Sequence, residues 1–157
     1  MKNEKLEILK DTLDIIGKHF DQIDFVDSKI GHLFPLTTKK MKNMTRGEQV
    51  DCDVLIYRFT HLQDTIATKA FPLVLEVGQE QIDELFFIDR LNLLERRGII
   101  EKAYQWQDLR DLRNKLSHEY VNQPEHQVKL INQVWQSLPI IRACVERIKQ
   151  RVALFSL

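Results

Sequence analysis

Apolar residues recur every three or four positions along nearly the whole chain, and that period constrains the fold more than any other feature. Leu6, Leu9, Leu13, Ile16, Phe20 and Ile23 keep a strict seven-residue repeat, which predicts one long helix over 3–30, stopped by Gly31. Leu55, Phe59, Leu62, Ile66 and Leu73 line one face of a second helix over 51–77, bent or ended at Pro72. A third helix over 80–97 carries Ile82, Leu85, Phe86 and Leu93. It closes on Arg96 and Arg97 followed by Gly98, a basic last turn and then a glycine. A fourth runs over 104–121, with Pro124 closing that region. A fifth runs over 125–154, where Val128, Ile131, Trp135, Leu138, Ile141, Val145, Ile148 and Val152 keep the period and Pro139 is expected to kink it. No alternating strand pattern, hairpin turn, repeat or low-complexity tract interrupts this. The expected fold class is all-α, an antiparallel helical bundle of about five helices forming a single domain over 1–157.

Residues 31–50, "GHLFPLTTKKMKNMTRGEQV", lack periodicity and read as the longest connection. They hold the densest basic cluster, four basic side chains and no acid over 39–46. A solvated linker explains this stretch, with a contact to an RNA backbone as the sharper alternative. The first helix leaves a similar choice open: its stripe faces the core, or also meets a second subunit.

Composition excludes several classes of function. The 23 basic and 23 acidic side chains cancel, so the chain is no general nucleic-acid coat and any such contact must be local. Cys52 and Cys144 form neither a CxxC pair nor a zinc spacing and suit a reducing cytosol. No signal peptide and no transmembrane run are read, so no membrane association and a cytoplasmic location are expected. There is no H-E-x-x-H, GxGxxG, P-loop or G-x-S-x-G motif. His19, His32, His61 and His126 have no i,i+4 ligand pairing and read as surface or packing residues. No metal and no cofactor are expected.

The stretch that carries chemistry is "RDLRNKLSHEY", 110–120. On an ideal helix Trp106, Leu109, Leu112, Leu116 and the ring of Tyr120 share the core face, while Asp108, Asp111, Lys115 and Glu119 gather on a solvated one. Between them lies a strip of Arg110, Arg113, Asn114, Ser117 and His118 that contains no carboxylate. Guanidinium forks match phosphate oxygens, and an imidazole moves protons near neutral pH. A basic strip ending in a histidine that complements the helix dipole is the ordinary alternative. Arg113 and His118 point about 140° apart on such a helix. A closed site therefore needs the helix to end between them, or a second copy of the chain.

"RNKLSHEY" resembles the R-x4-6-H signature of HEPN domains, and more narrowly the R-x4-H-x-Y form of HepT-like toxins. Arg113, Asn114, His118 and Tyr120 fall on the family's arginine, following polar residue, histidine and tyrosine. "LLERRGII" (93–100) and "LRDLRNKLSHEY" (109–120) add to the likeness, which is strongest over about 80–122. The layout of helices agrees over roughly 50–152, and the N-terminal helix carries no diagnostic motif. The resemblance implies a homodimer and a metal-independent endoribonuclease toxin with Arg113 and His118 as catalytic residues. Arg110, Asn114 and Ser117 would support RNA binding. It also implies a minimal nucleotidyltransferase antitoxin that adenylylates Tyr120. Members that have lost catalysis, or that serve as a nucleotide- or partner-binding subunit, give the alternative.

Overall fold

The computed structural model describes residues 1–118 and 123–157. The described residues are helical, with no strand among them. In chain order the elements are α1 (Lys2–Ile30), α2 (Thr38–Lys42), α3 (Arg46–Thr65), α4 (Phe71–Val77), α5 (Phe87–Arg96), α6 (Ala103–His118) and α7 (Pro124–Phe155). Because α3 and α4 run on through a π-helical segment at Ile66–Ala70, the principal helical bodies number about five, and the all-α bundle stands.

The packing is antiparallel. Lys5 at the start of α1 pairs with Glu76 at the end of α4. Trp135 Nε1 of α7 donates to Asp27 of α1 at 3.1 Å, and about two turns further along α7 Arg142 reaches back to Asp24. Buried apolar side chains from every long helix meet in one core. At its centre Trp106 of α6 has no exposed surface and meets Phe71 of α4 edge-on, 4.6 Å between ring centroids. Along α1 the buried face is Leu6, Leu9, Ile16, Phe20 and Ile23, with Leu13 only half-buried. Thr12 is buried in the same face, its hydroxyl donating to the Ile8 carbonyl at 2.8 Å.

α1 ends at Ile30, just before Gly31 as read, and with the Gly31 φ at −56° the chain tightens into a 3-10 turn over Gly31–Leu33. Several other boundaries differ from the sequence reading. The expected long loop is a pinned strap. Asn132 of α7 accepts from the Leu36 backbone N–H (2.7 Å) and donates to the Leu36 carbonyl (2.9 Å). Phe34 stacks on Trp135, and Thr37 caps α2. Lys40, one of the four basic residues there, donates to the Leu33 and Pro35 carbonyls. α3 starts at Arg46 rather than 51 because Thr45 and Glu48 form a reciprocal capping box, which satisfies two N-terminal donors. Pro72 does not end the helix. Proline cannot donate to the carbonyl a turn earlier, and the wider π turn just before it lets the helix continue. Residues 80–86 are turns rather than helix, and α5 begins only at Phe87, where Asp89 accepts from the Phe86 backbone N–H. Pro139 lies inside α7 without ending it.

Gly98 does close α5 as read, with φ at +73°. A Cβ added there meets nothing closer than Arg151 at 3.8 Å, an ordinary contact. The penalty for a side chain is therefore conformational. Gly98→Ala should cost about 1–2 kcal/mol in urea denaturation, and an unchanged midpoint would remove that account.

Two facts bear on compartment. Among the described residues no helix is long and apolar enough to cross a membrane. Cys52 and Cys144 are buried and unpaired. Burial, then Asp53, Asp51 and Glu48, pushes the Cys52 thiol up to about 11, and burial raises Cys144 further still. Neither thiol is a nucleophile at neutral pH.

Candidate functional site

The fourth amphipathic stripe puts its side chains where the period requires. Trp106, Leu109, Leu112 and Leu116 are buried, so α6 can present only its flank to solvent. Arg113 is half-buried on that flank, and Arg110, Asn114, Ser117 and His118 are exposed. Glu119 and Tyr120 lie outside the described residues. Asp108, Asp111 and Lys115 are exposed as read, although Asp111 and Lys115 form no ion pair.

The strip is not acid-free once the helices are assembled. Asp64 of α3 takes Arg113 in a two-point clamp, Nε to Oδ1 at 2.9 Å and Nη2 to Oδ2 at 2.8 Å. Nη1 donates to Ser117 Oγ at 3.0 Å. A single helix wheel cannot show this carboxylate, because it arrives from 49 residues earlier in the chain. Hydrogen bonding to Asp64 raises the Arg113 guanidinium above its ordinary value, so it stays charged. The arginine and aspartate side chains are 29% and 39% exposed. Water screens a pair that open, and its main effect is on orientation rather than stability.

A guanidinium has five N–H donors, and three are used here, leaving two for a ligand. A cleft of about 280 Å³ opens over this clamp, walled by Gln63 and Asp64 on α3, Thr68 on the π segment that follows it, and Arg110, Arg113 and Asn114 on α6. Phe87 closes one end, with the Arg110 guanidinium stacked 4.6 Å over its ring. Two arginines against one aspartate leave a formal charge of +1, suited to one phosphate group. His118 takes no part in this cleft. It is the last residue of α6, exposed, and on the helix wheel turned well away from Arg113. One copy of the chain thus joins Arg110, Arg113, Asn114 and Ser117 but not His118.

Comparison with protein-family models, with curated proteins and with solved structures finds no match. Function therefore rests on geometry and on the motif alone.

A second group of polar side chains, which the sequence reading treated as surface or packing histidines, meets on the neighbouring α1–α3 face. His19 of α1 and His61 of α3 stack at 6.2 Å, and Tyr57 packs against His61 at 4.3 Å. Arg58 lies 3.3 Å from His19 Nδ1. Since a guanidinium only donates, His19 accepts through Nδ1 and carries its proton on Nε2. Burial, then Arg58 and His61, holds the His19 imidazole below its ordinary value. The signal that could have found this group is spacing: Tyr57, His61 and Asp64 share one stripe of α3.

A larger cleft, about 450 Å³, lies on the opposite flank of α6 against α7, with Tyr104, Asp108, Asp111, Lys115, Gln133 and Gln136 in its wall. Its charges are mixed and it includes none of the strip. Among the described residues no group of three His, Cys, Asp or Glu side chains is placed to hold a metal ion.

Proposed function

We propose that this protein is a metal-independent endoribonuclease toxin whose antitoxin is a minimal nucleotidyltransferase. Arg113 and His118 act together in a cleft shared by two copies of the chain. The observation that carries the reading is the Arg113 clamp: a charged guanidinium held in fixed orientation beside Arg110 and Asn114, with donors to spare. Such a group is prepared for the extra negative charge that a phosphodiester develops as it is attacked. In RNA the ribose 2′-hydroxyl can attack its own phosphate, breaking the bond to the 5′-oxygen. This needs proton transfer and charge stabilisation, supplied by imidazole and guanidinium. Only RNA has that hydroxyl, which explains RNA selectivity without reading bases.

The homodimer follows from the divergence of Arg113 and His118 on α6, since a two-fold axis brings one chain's arginine to the other's histidine. Exposed Ile8 and Ile15 on α1 give apolar surface for such an assembly. The site of adenylylation in this scheme is Tyr120, whose modification would set a phosphate beside Arg113 and exclude RNA. The protein would act in the cytosol.

Asp64 favours a second reading, a non-catalytic nucleotide- or partner-binding subunit, because it already cancels one of the strip's two charges. One assay separates the two. Labelled RNA should be cut by the purified protein in excess EDTA, leaving 2′,3′-cyclic phosphate ends, and His118→Ala should not cut. Cleavage that needs an added divalent ion sinks the metal-free mechanism. Nucleotide binding without cleavage by the unaltered protein selects the second reading.

A further inference from the structure

The proton-transfer chemistry proposed above needs two groups. In an in-line displacement the attacking 2′-oxygen and the departing 5′-oxygen stand on opposite sides of phosphorus. One imidazole cannot take a proton from the first and deliver one to the second in the same step. His118 supplies one such group per chain, and it points away from Arg113.

The helix packing supplies another. α3 and α6 run antiparallel, because Arg110 shares a cleft with Thr68 while Arg113, further along α6, meets Asp64, earlier on α3. One turn beyond Arg113 is Ser117, which hydrogen-bonds it. One turn before Asp64 is His61, on the same face of α3, with Cβ atoms about 5–6 Å apart at that spacing. By helix geometry His61 therefore lies one turn from the Arg113 clamp, on the side of Ser117 and outside the walls of the cleft that holds Arg110. It is exposed, so a substrate can reach it. Its ring is also held: Tyr57 packs on it at 4.3 Å, and His19 stacks on it at 6.2 Å with planes within 13°. His19 is fixed in turn by Arg58, a guanidinium in no ion pair among the described residues.

We infer that His61, not His118, is the imidazole that works with Arg113 of the same chain, serving as the base that activates the ribose 2′-hydroxyl. This rests on the ribonuclease reading. In the step, the His61 ring takes the 2′-hydroxyl proton as the 2′-oxygen bonds to phosphorus. The bond from phosphorus to the 5′-oxygen breaks, and that oxygen takes a proton from His118 of the second copy. The products are a 2′,3′-cyclic phosphate and a 5′-hydroxyl. The groups set against the His61 ring are His19 from α1 and Tyr57 from α3; beyond them Arg58 is bound to His19, and Asp64, one turn along α3, is bound to Arg113 of α6. Arg58 and Arg113 would bracket the phosphate, and the exposed ring of Tyr57 offers a base a surface to stack on. His19 is a positioning residue, through its stack on His61.

The test compares the unaltered protein with His61→Gly and His61→Gln in RNA cleavage across pH, with and without free imidazole. RNA affinity is measured in parallel on a 2′-deoxy oligonucleotide that cannot be cut. Both variants should keep the affinity and lose cleavage by about a hundredfold or more. The acidic limb of the pH–rate profile, where a base becomes protonated, should disappear. Free imidazole should restore His61→Gly, whose cavity admits it, and should not restore His61→Gln. Wild-type rates in both variants overturn this assignment and leave the ribonuclease reading intact. Loss of cleavage with no imidazole rescue in His61→Gly also overturns it, reducing His61 to a structural role. Absence of cleavage by the unaltered protein overturns both.

Discussion

Arg113→Ala is expected to reduce RNA cleavage by about 10²–10³-fold, the loss typical when one donor to a developing oxyanion is removed. The fold should survive. The ion pair that disappears is partly exposed on both sides, so its stability contribution is about 1 kcal/mol or less, and Asp64, left unpaired, can still reach water. Arg113→Lys separates charge from geometry. Lysine keeps the positive charge but cannot span both Asp64 oxygens and donate to Ser117 at once. It should remain well below wild type in rate while binding RNA nearly as well. Asp64→Asn gives the converse: the guanidinium keeps its charge and loses its clamp. If Arg113→Ala cleaves as fast as wild type in a single-turnover assay, the guanidinium has no part in the chemistry.

The largest expected effect on stability belongs to Trp106→Ala, at about 3–5 kcal/mol. Trp106 is fully buried and its neighbour Phe71 comes from another helix. A cavity there weakens the contact of α6 with α4 and loses the edge-on ring pair as well. Set against a typical total of about 5–15 kcal/mol, that leaves the domain marginal. Trp106→Phe keeps a ring and should cost visibly less. Denaturant titration followed by fluorescence checks both, since Trp135, half-buried against Phe34, remains as a reporter. A Trp106→Ala midpoint close to wild type would contradict the core placement.

What could be read from the sequence follows from the range of each signal. Helical period is local, so the stripes of α1, α3, α6 and α7 and the burial of Trp106, Leu109, Leu112 and Leu116 were all legible. Gly98 was legible for the same reason, since a basic turn followed by glycine is a signal a few residues long. The Thr45–Glu48 capping box is equally local, but it stands in a stretch with no apolar stripe to mark a helix after it. Residues 80–86 failed the other way: Ile82 and Leu85 fall at helical spacing although the backbone there makes turns. For Asp64 and His61 only half of the signal was local: their shared stripe on α3 was legible, their partner on α6 was not. Each is an ordinary polar residue on its own helix, and only the antiparallel approach of α3 and α6 gives either a role. Four members of the α6 strip, Arg110, Arg113, Asn114 and Ser117, meet around one clamp, but His118 stands apart and the carboxylate among them comes from a second helix.

The π turn at Ile66–Ala70 has a consequence for how this chain can change length. A π turn holds one more residue than the α turn it replaces, and its wider winding absorbs the rotation of about 100° that residue would otherwise add between the helix before it and the helix after it. Phe71, Val74 and Leu75 are locked into the core on one side of the junction, as Leu55, Phe59 and Leu62 are on the other. Both halves point inward only because the wide turn takes up the surplus residue. Forcing the same residues into regular α-helix would turn the two apolar faces about 100° apart, and with α4 held in place Asp64 and His61 would swing away from α6. Deleting one residue from 66–70 removes the surplus together with the wide turn and should leave the faces in agreement, whereas inserting one should not. Along this helix, backbone phase does for the site what side-chain choice does elsewhere. Substitutions in the segment and loss of its one surplus residue should therefore be tolerated far better than an insertion.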